Sequence, residues 1–183
     1  MKNLRLLLVL LCLATSALIL APGCSSTATR ASTGEFIDDS VVTTKVKTDL
    51  ARDAATPGSA ISVETFKGAV ILSGFVDTVE QKKQAGGVAT KVAGVKDVLN
   101  HILVKTSKST TGEFIDDSVI TTKVKAALLK ADGIPAAAIS VETFRGVVLL
   151  SGFLDTAAQK TAAEAVAAKI ENVREVSNAL VLK

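Results

Sequence analysis

The 183-residue chain contains no tryptophan and no tyrosine, one histidine and two cysteines. Each scarcity removes a class of function. Single-stranded nucleic acid is held on aromatic platforms lining a basic groove, and here the aromatics are six phenylalanines. The net charge of +3 does not compensate. Lys2, Arg5, Arg30 and Lys108 supply the excess, and the rest of the chain is close to balanced. A basic patch for phosphates is therefore missing, and nucleic acid is not an expected partner. One histidine and no usable thiol leave zinc ligation and Cys–His catalysis without their residue types. The apolar run Leu6–Leu20 has 15 residues, short of the ~20 that span a bilayer.

What the chain does have is a duplication. Ile61–Thr78 (ISVETFKGAVILSGFVDT) returns as Ile139–Thr156 (ISVETFRGVVLLSGFLDT), 78 residues on, with 14 of 18 positions identical. Apolar and polar residues alternate on either side of Gly68 and Gly146, which predicts a β-hairpin in each copy. Extended outward without a gap, the repeat covers Gly34–Lys105 and Gly112–Lys183. A domain of this size buries only ~60% of its unfolded surface, so the two copies are expected to lean on each other. Their six phenylalanines form three matched pairs, Phe36/Phe114, Phe66/Phe144 and Phe75/Phe153, read as core residues.

In copy 1, Asp38 or Asp39 can cap a helix whose Val42, Val46 and Leu50 form one apolar face. That helix should stop near Asp53, before Pro57-Gly58. The hairpin Ile61–Val76 follows. Thr78-Val79-Glu80-Gln81 is a capping box opening a second helix to about Val92, and Val98–Val104 is a last strand. Copy 2 repeats the order as helix Asp116–Ala131, hairpin Ile139–Leu154, helix Thr156–Ile170 and strand Val176–Leu182. The fold class is α+β, two tandem α-β-β-α-β modules, each a three-stranded sheet packed by two helices. Thr106–Thr111 is the linker between them.

Before the repeats, residues 1–23 read as an export signal: Lys2 and Arg5, the apolar run, then Ala21-Pro22-Gly23. Small residues ahead of Cys24 resemble the lipobox of bacterial lipoproteins, which implies lipidation of Cys24 as the mature first residue. Removal of Cys12 with the signal leaves one cysteine, so no internal disulfide forms. Acylation would mask a thiol otherwise exposed to an oxidising compartment, and more than one chain makes a stable anchor. Ser25 after the cysteine implies the outer membrane, facing the periplasm. The alternative is an ordinary cleaved signal with a free Cys24. Residues 24–33 are a polar Ser/Thr-rich tether.

The run Gly68-Ala69-Val70-Ile71-Leu72-Ser73-Gly74-Phe75-Val76, with Gly94-Val95 and Asn100, resembles the BON domain of bacterial osmotically inducible and nodulation proteins. Gly146–Leu154 and Asn178 repeat the resemblance in copy 2, where Asn172 stands in place of Gly94. Asparagine also enters the left-handed region, so that turn is expected to survive. The resemblance implies non-catalytic envelope modules that bind phospholipid or other envelope components and support outer-membrane integrity.

No catalytic constellation is present. Asp38-Asp39 and Asp116-Asp117 are neighbours ~100° apart on a helix and do not share a proton or a metal. His101 is replaced by Ala179 in copy 2, and Ser73-Gly74 lacks the Gly-x-Ser-x-Gly pattern. No cofactor and no metal are expected. The clue inside the domains is how the copies differ. On the first helix of copy 2 the outward side carries Val119, Lys123, Ala126, Leu129 and Lys130, while Asp49 and Asp53 of copy 1 become Ala127 and Ala131. Apolar residues ringed by lysine suit anionic phospholipid; the other reading is that Leu129 packs against copy 1. A protein partner in the envelope, paired through a sheet edge in a chaperone-like role, is the alternative function.

Overall fold

The computed structural model describes residues 38–105 and 116–183. The signal, the tether with Cys24, the linker 106–111, and Phe36 and Phe114 lie outside the described residues. The two repeats belong to one compact unit.

Helix α1 (Asp39–Arg52) begins where the Asp38 carboxylate accepts the amide of Ser40 at 2.8 Å. It buries Val42, Val46 and Leu50. Asp39 does something else. Its two carboxylate oxygens accept the amides of Lys67 (2.6 Å) and Gly68 (2.8 Å), the turn between β1 (Ile61–Phe66) and β2 (Ala69–Val76). Both turn residues have positive φ, 50° and 83°, the geometry that matches the twist of paired strands. Of the two adjacent aspartates, one caps the helix and the next fastens the hairpin to it. Copy 2 repeats this: Asp116 caps α3 (Asp117–Lys130), and Asp117 holds the amides of Arg145 and Gly146 at 2.6 and 2.9 Å.

After β2, Thr78 and Gln81 form the capping box of α2 (Val79–Ala89). The helix stops at Ala89, three residues earlier than its apolar pattern suggests, and Val92 still reaches the core. The turn at Gly94 (φ 98°) returns the chain parallel to β2. The last strand is in two pieces, β3 (Asp97–Asn100) and β4 (Leu103–Val104), where a continuous strand is expected. Both lie along β2, and His101 still donates to the Leu72 carbonyl at 2.8 Å. The Asn100 side chain accepts the Ile102 amide and donates to the Lys82 carbonyl, stitching the break to α2.

Copy 2 has β5 (Ser140–Phe144), β6 (Val147–Leu154), α4 (Ala157–Ala168) and an unbroken β7 (Glu175–Leu182). Asn172 takes φ 69° where copy 1 has Gly94, so the turn does survive the change of residue. In both sheets the second hairpin strand is central, antiparallel to the first and parallel to the last.

Each sheet packs its two helices on one face. Val63, Val70, Leu72 and Val76 meet α1 and α2; Val141, Val148, Leu150 and Leu154 meet α3 and α4. The residues in between point the other way, because successive strand side chains alternate. Ile71 and Leu149 belong to this second face and are fully buried. They are buried because the second faces of the two sheets meet. At their centre the Ser73 and Ser151 hydroxyls share a hydrogen bond of 2.8 Å. On either side Phe66 packs on Phe153 at 5.6 Å between ring centroids, and Phe75 on Phe144 at 5.5 Å. Phe66 and Phe144 are counterparts 78 residues apart, and so are Phe75 and Phe153, so each ring pair is the repeat image of the other and the contact is isologous, as in a two-fold dimer. Of the phenylalanines read as core residues, the four described ones therefore sit between the modules. Lys67 and Lys183 lie over the Phe66 ring at 5.0 and 5.9 Å, and Lys105 and Arg145 over Phe144 at 5.6 and 5.3 Å. In each set one cation comes from the opposite repeat.

Asp39→Ala leaves two turn amides without their carboxylate and is expected to cost about 2 kcal/mol in urea unfolding. Asp38→Ala removes an exposed cap and should cost less than Asp39→Ala in the same measurement.

Candidate lipid-facing surface

The outward side of α3 is built by spacing. Ile120, Val124 and Leu128 are committed to the core. Residues at other phases of the 3.6-residue turn then face out, and Val119, Lys123, Ala126, Leu129 and Lys130 are all exposed. Leu129 is the extreme case, 73% exposed, with Val119 at 43%. A side chain so open does not pack against copy 1, which removes that reading of Leu129. Lys123 reaches Glu171 at 3.3 Å, a surface pair that contributes little. Among the described residues neither Lys125 nor Lys130 takes part in an ion pair. The helix holds Lys123, Lys125 and Lys130 against a single acid, Asp117, whose oxygens are occupied by the hairpin turn.

Beside this face lies a cavity of about 210 Å³. Its walls are Leu128 and Leu129 of α3, Ala136 and Ala137 of the short 3-10 turn Ala136–Ala138, and Ile139 and Val141 leading into β5; Lys125 is the one charged residue lining it. The sequence reading passed over Lys125, Ala136 and Ala137. A signal was there: copy 1 has Gly58 at the position of Ala136. A Cβ on Gly58 would lie 2.8 Å from the Cα of Ala51, closer than real atoms approach.

The seam between the repeats carries a second polar feature. Alternation puts Glu64 in phase with Phe66, on the buried face. One of its carboxylate oxygens, Oε2, is buried without a hydrogen-bond partner. Burial pushes its carboxyl above the ordinary range; Glu142 opposite adds to this, while the Ser140 hydroxyl, Lys47 and Ser151 pull the other way. His101 is driven down by burial and by Lys82 and Lys160. The exposed capping aspartates Asp38 and Asp116 are lowered by the Ser40 and Ser118 amides.

Among the described residues no group of three or more His, Cys, Asp or Glu could hold a metal, and no helix is long and apolar enough to cross a membrane. The Ser73 hydroxyl is buried and committed to Ser151. Arranged this way, the unit offers an apolar, lysine-flanked surface on α3 and β7, β5 and β1 at the outer positions of their sheets.

A tandem pair of α-β-β-α-β modules with this hairpin belongs to the BON domain family, whose model matches residues 38–106 and 116–183. The chain is 38% identical over 151 residues to osmotically-inducible protein Y of Escherichia coli (strain K12), covering 82% of this chain and 75% of that one. It is 31% identical over 145 residues to the outer membrane lipoprotein DolP of Haemophilus influenzae, covering 79% and 74%. A solved C-terminal domain of CdsD, the structural protein of the Type III secretion system of Chlamydia trachomatis, matches at 19% identity over 80% of this chain and 68% of that one. Its TM-score of 0.33 is too low to align the two as wholes.

Glu64 makes stability depend on pH in a stated direction. Unfolded, it titrates near 4.5; folded, it titrates higher. Its stabilising protonated form is complete below 4.5 and is lost as pH rises through the folded value. Glu64→Gln removes that loss. The stability difference between variant and wild type should therefore grow in the variant's favour from about pH 4 to neutrality. The aspartates and His101 cancel in that difference. Urea unfolding of both proteins across the range measures it.

Proposed function

We propose that this chain is a non-catalytic envelope lipoprotein. It is held on the outer membrane by acylated Cys24 and engages anionic phospholipid through the outward face of α3. Membership of the BON family and the likeness to an outer membrane lipoprotein support the envelope assignment. The observation that carries the lipid reading is Leu129, 73% exposed on a helix with three lysines and one occupied acid. The equivalent helix of copy 1 has Ala51 there and a second acid, Asp49. An apolar side chain inserts between headgroups while neighbouring lysines meet phosphate, each cation contributing about 1 kcal/mol at an anionic surface. Two acyl chains on Cys24 would supply stable attachment by themselves. The helix would then set which face of the protein lies on the leaflet.

The mature chain Ser25–Lys183 with Cys24 absent should co-sediment with phosphatidylglycerol vesicles, bind phosphatidylcholine vesicles far less, and weaken as salt rises. Leu129→Asp with Lys130→Glu should reduce binding about tenfold or more. Unchanged binding in that double variant would remove α3 from the reading. Mass spectrometry of the mature N-terminus checks the anchor: a diacylated or triacylated Cys24 is expected, and a free or absent Cys24 overturns it. Abundant protein crosslinks in cells through β5 or β7, with no vesicle binding, would instead support a client-binding module.

A further inference from the structure

The two repeats are nearly superposable in sequence at the hairpin and differ most from Thr48 to Ala60, matching Ala126 to Ala138. In copy 1 the short 3-10 turn Gly58–Ala60 lies hard against α1. A Cβ at Gly58 would meet Ala51 Cα and N at 2.8 Å and the Leu50 carbonyl carbon at 2.9 Å. Copy 2 places a Cβ at that position, Ala136, and a larger side chain, Leu129, opposite it in place of Ala51. The turn has to stand away from α3, and the gap is the cavity of about 210 Å³ between Leu128, Leu129, Ala136, Ala137, Ile139 and Val141. Its walls offer no carboxylate, and the one charged side chain lining it is Lys125.

We propose that this cavity is a binding site for one alkyl chain of an anionic phospholipid, with Lys125 meeting the phosphate. The inference rests on the lipid reading of α3 and adds a definite subsite to it. The charge selects the partner. An aliphatic chain satisfies the apolar walls, and a phosphate meets a lysine that has no ion pair among the described residues. The cavity also adjoins Leu129, so a chain entering it comes from the same leaflet that Leu129 faces. A helix that only lies on headgroups needs no such cavity. One that draws a chain out of the leaflet does, because each buried methylene adds to affinity.

The test uses the mature chain Ser25–Lys183, which keeps the whole two-repeat unit, and a lysophosphatidylglycerol below its aggregation concentration. Glycerol phosphate serves as the headgroup control. Binding is followed by methyl and amide NMR. Expected are saturable shifts at Ile139, Val141, Ala136 and Ala137 with the lysolipid and none with glycerol phosphate. Ala137→Leu, which adds bulk at an exposed position in the cavity wall, should weaken lysolipid binding about tenfold. Ala136→Gly, which restores the residue of copy 1 and lets the turn close, should do the same. Both variants should weaken vesicle binding less than they weaken lysolipid binding, because Val119, Lys123 and Lys130 still meet the surface. Shifts confined to Val119, Lys123, Ala126 and Lys130, or lysolipid binding unaffected by both variants, overturn the subsite while leaving surface binding intact. Loss of vesicle binding in Lys123→Glu/Lys130→Glu, neither of which lines the cavity, together with intact lysolipid binding supports a subsite distinct from the surface contact. Wild-type protein that binds neither vesicles nor lysolipid overturns both.

Discussion

The two sheets stand back to back, and that contact makes the molecule one unit. A module of this size covers one sheet face with its two helices and has nothing of its own for the other. Left open, that second face would present Ile71, Phe66 and Phe75, or Leu149, Phe144 and Phe153, to water. Duplication resolves this, because the best complement to an alternating face is a second copy turned about a two-fold axis. The reciprocity of Phe66 with Phe153 and Phe75 with Phe144 follows from that axis, as does the meeting of Ser73 with its own counterpart, Ser151. The cations reaching across to Phe144 and Phe66 come from Lys105 and Lys183, which are also counterparts. Each is oriented by an aspartate of its own module, Asp77 at 3.0 Å and Asp155 at 2.9 Å.

Symmetry at the seam constrains both copies alike and leaves the outer surfaces free to diverge. There Asp49 becomes Ala127, Ala51 becomes Leu129 and Gly58 becomes Ala136. The first two alter charge and apolar area without touching the core, since Leu50 and Leu128 stay buried. The third changes geometry, because a single methyl group decides whether a turn can lie on a helix. Within the seam the divergence is smaller. His101 of copy 1 corresponds to Ala179 of copy 2, and Glu64 retains an oxygen that no donor reaches. That unpartnered oxygen is a cost carried by the interface, and it ties the strength of the contact to proton concentration.

The element order, the hairpin turns and the capping boxes were legible in the residues because each depends on local chemistry. Thr78 and Gln81 are three apart and satisfy each other; Gly68 follows the positive-φ Lys67 in a two-residue turn. The role of Asp39 was not legible. Its partners are 28 and 29 residues away, and a carboxylate beside a helix start reads first as a cap. The phenylalanines were read as core residues, but which core the four described ones serve was not legible. Alternation tells which residues share a face and is silent about what covers it.

The amino-acid sequence by itself determined the duplication, the α-β-β-α-β order and the phase that sets Leu129 among lysines away from the core face of its helix, since these follow from identity, periodicity and spacing along one chain. Only the tertiary structure decided that the second sheet faces bury each other, that Glu64 is enclosed between them, and that copy 2 has a cavity beside α3. Those features depend on distances between residues far apart in the chain, and such distances are set by packing: a Cβ at Gly58 would meet the α1 backbone at 2.8 Å, and copy 2 carries a Cβ at the matching Ala136.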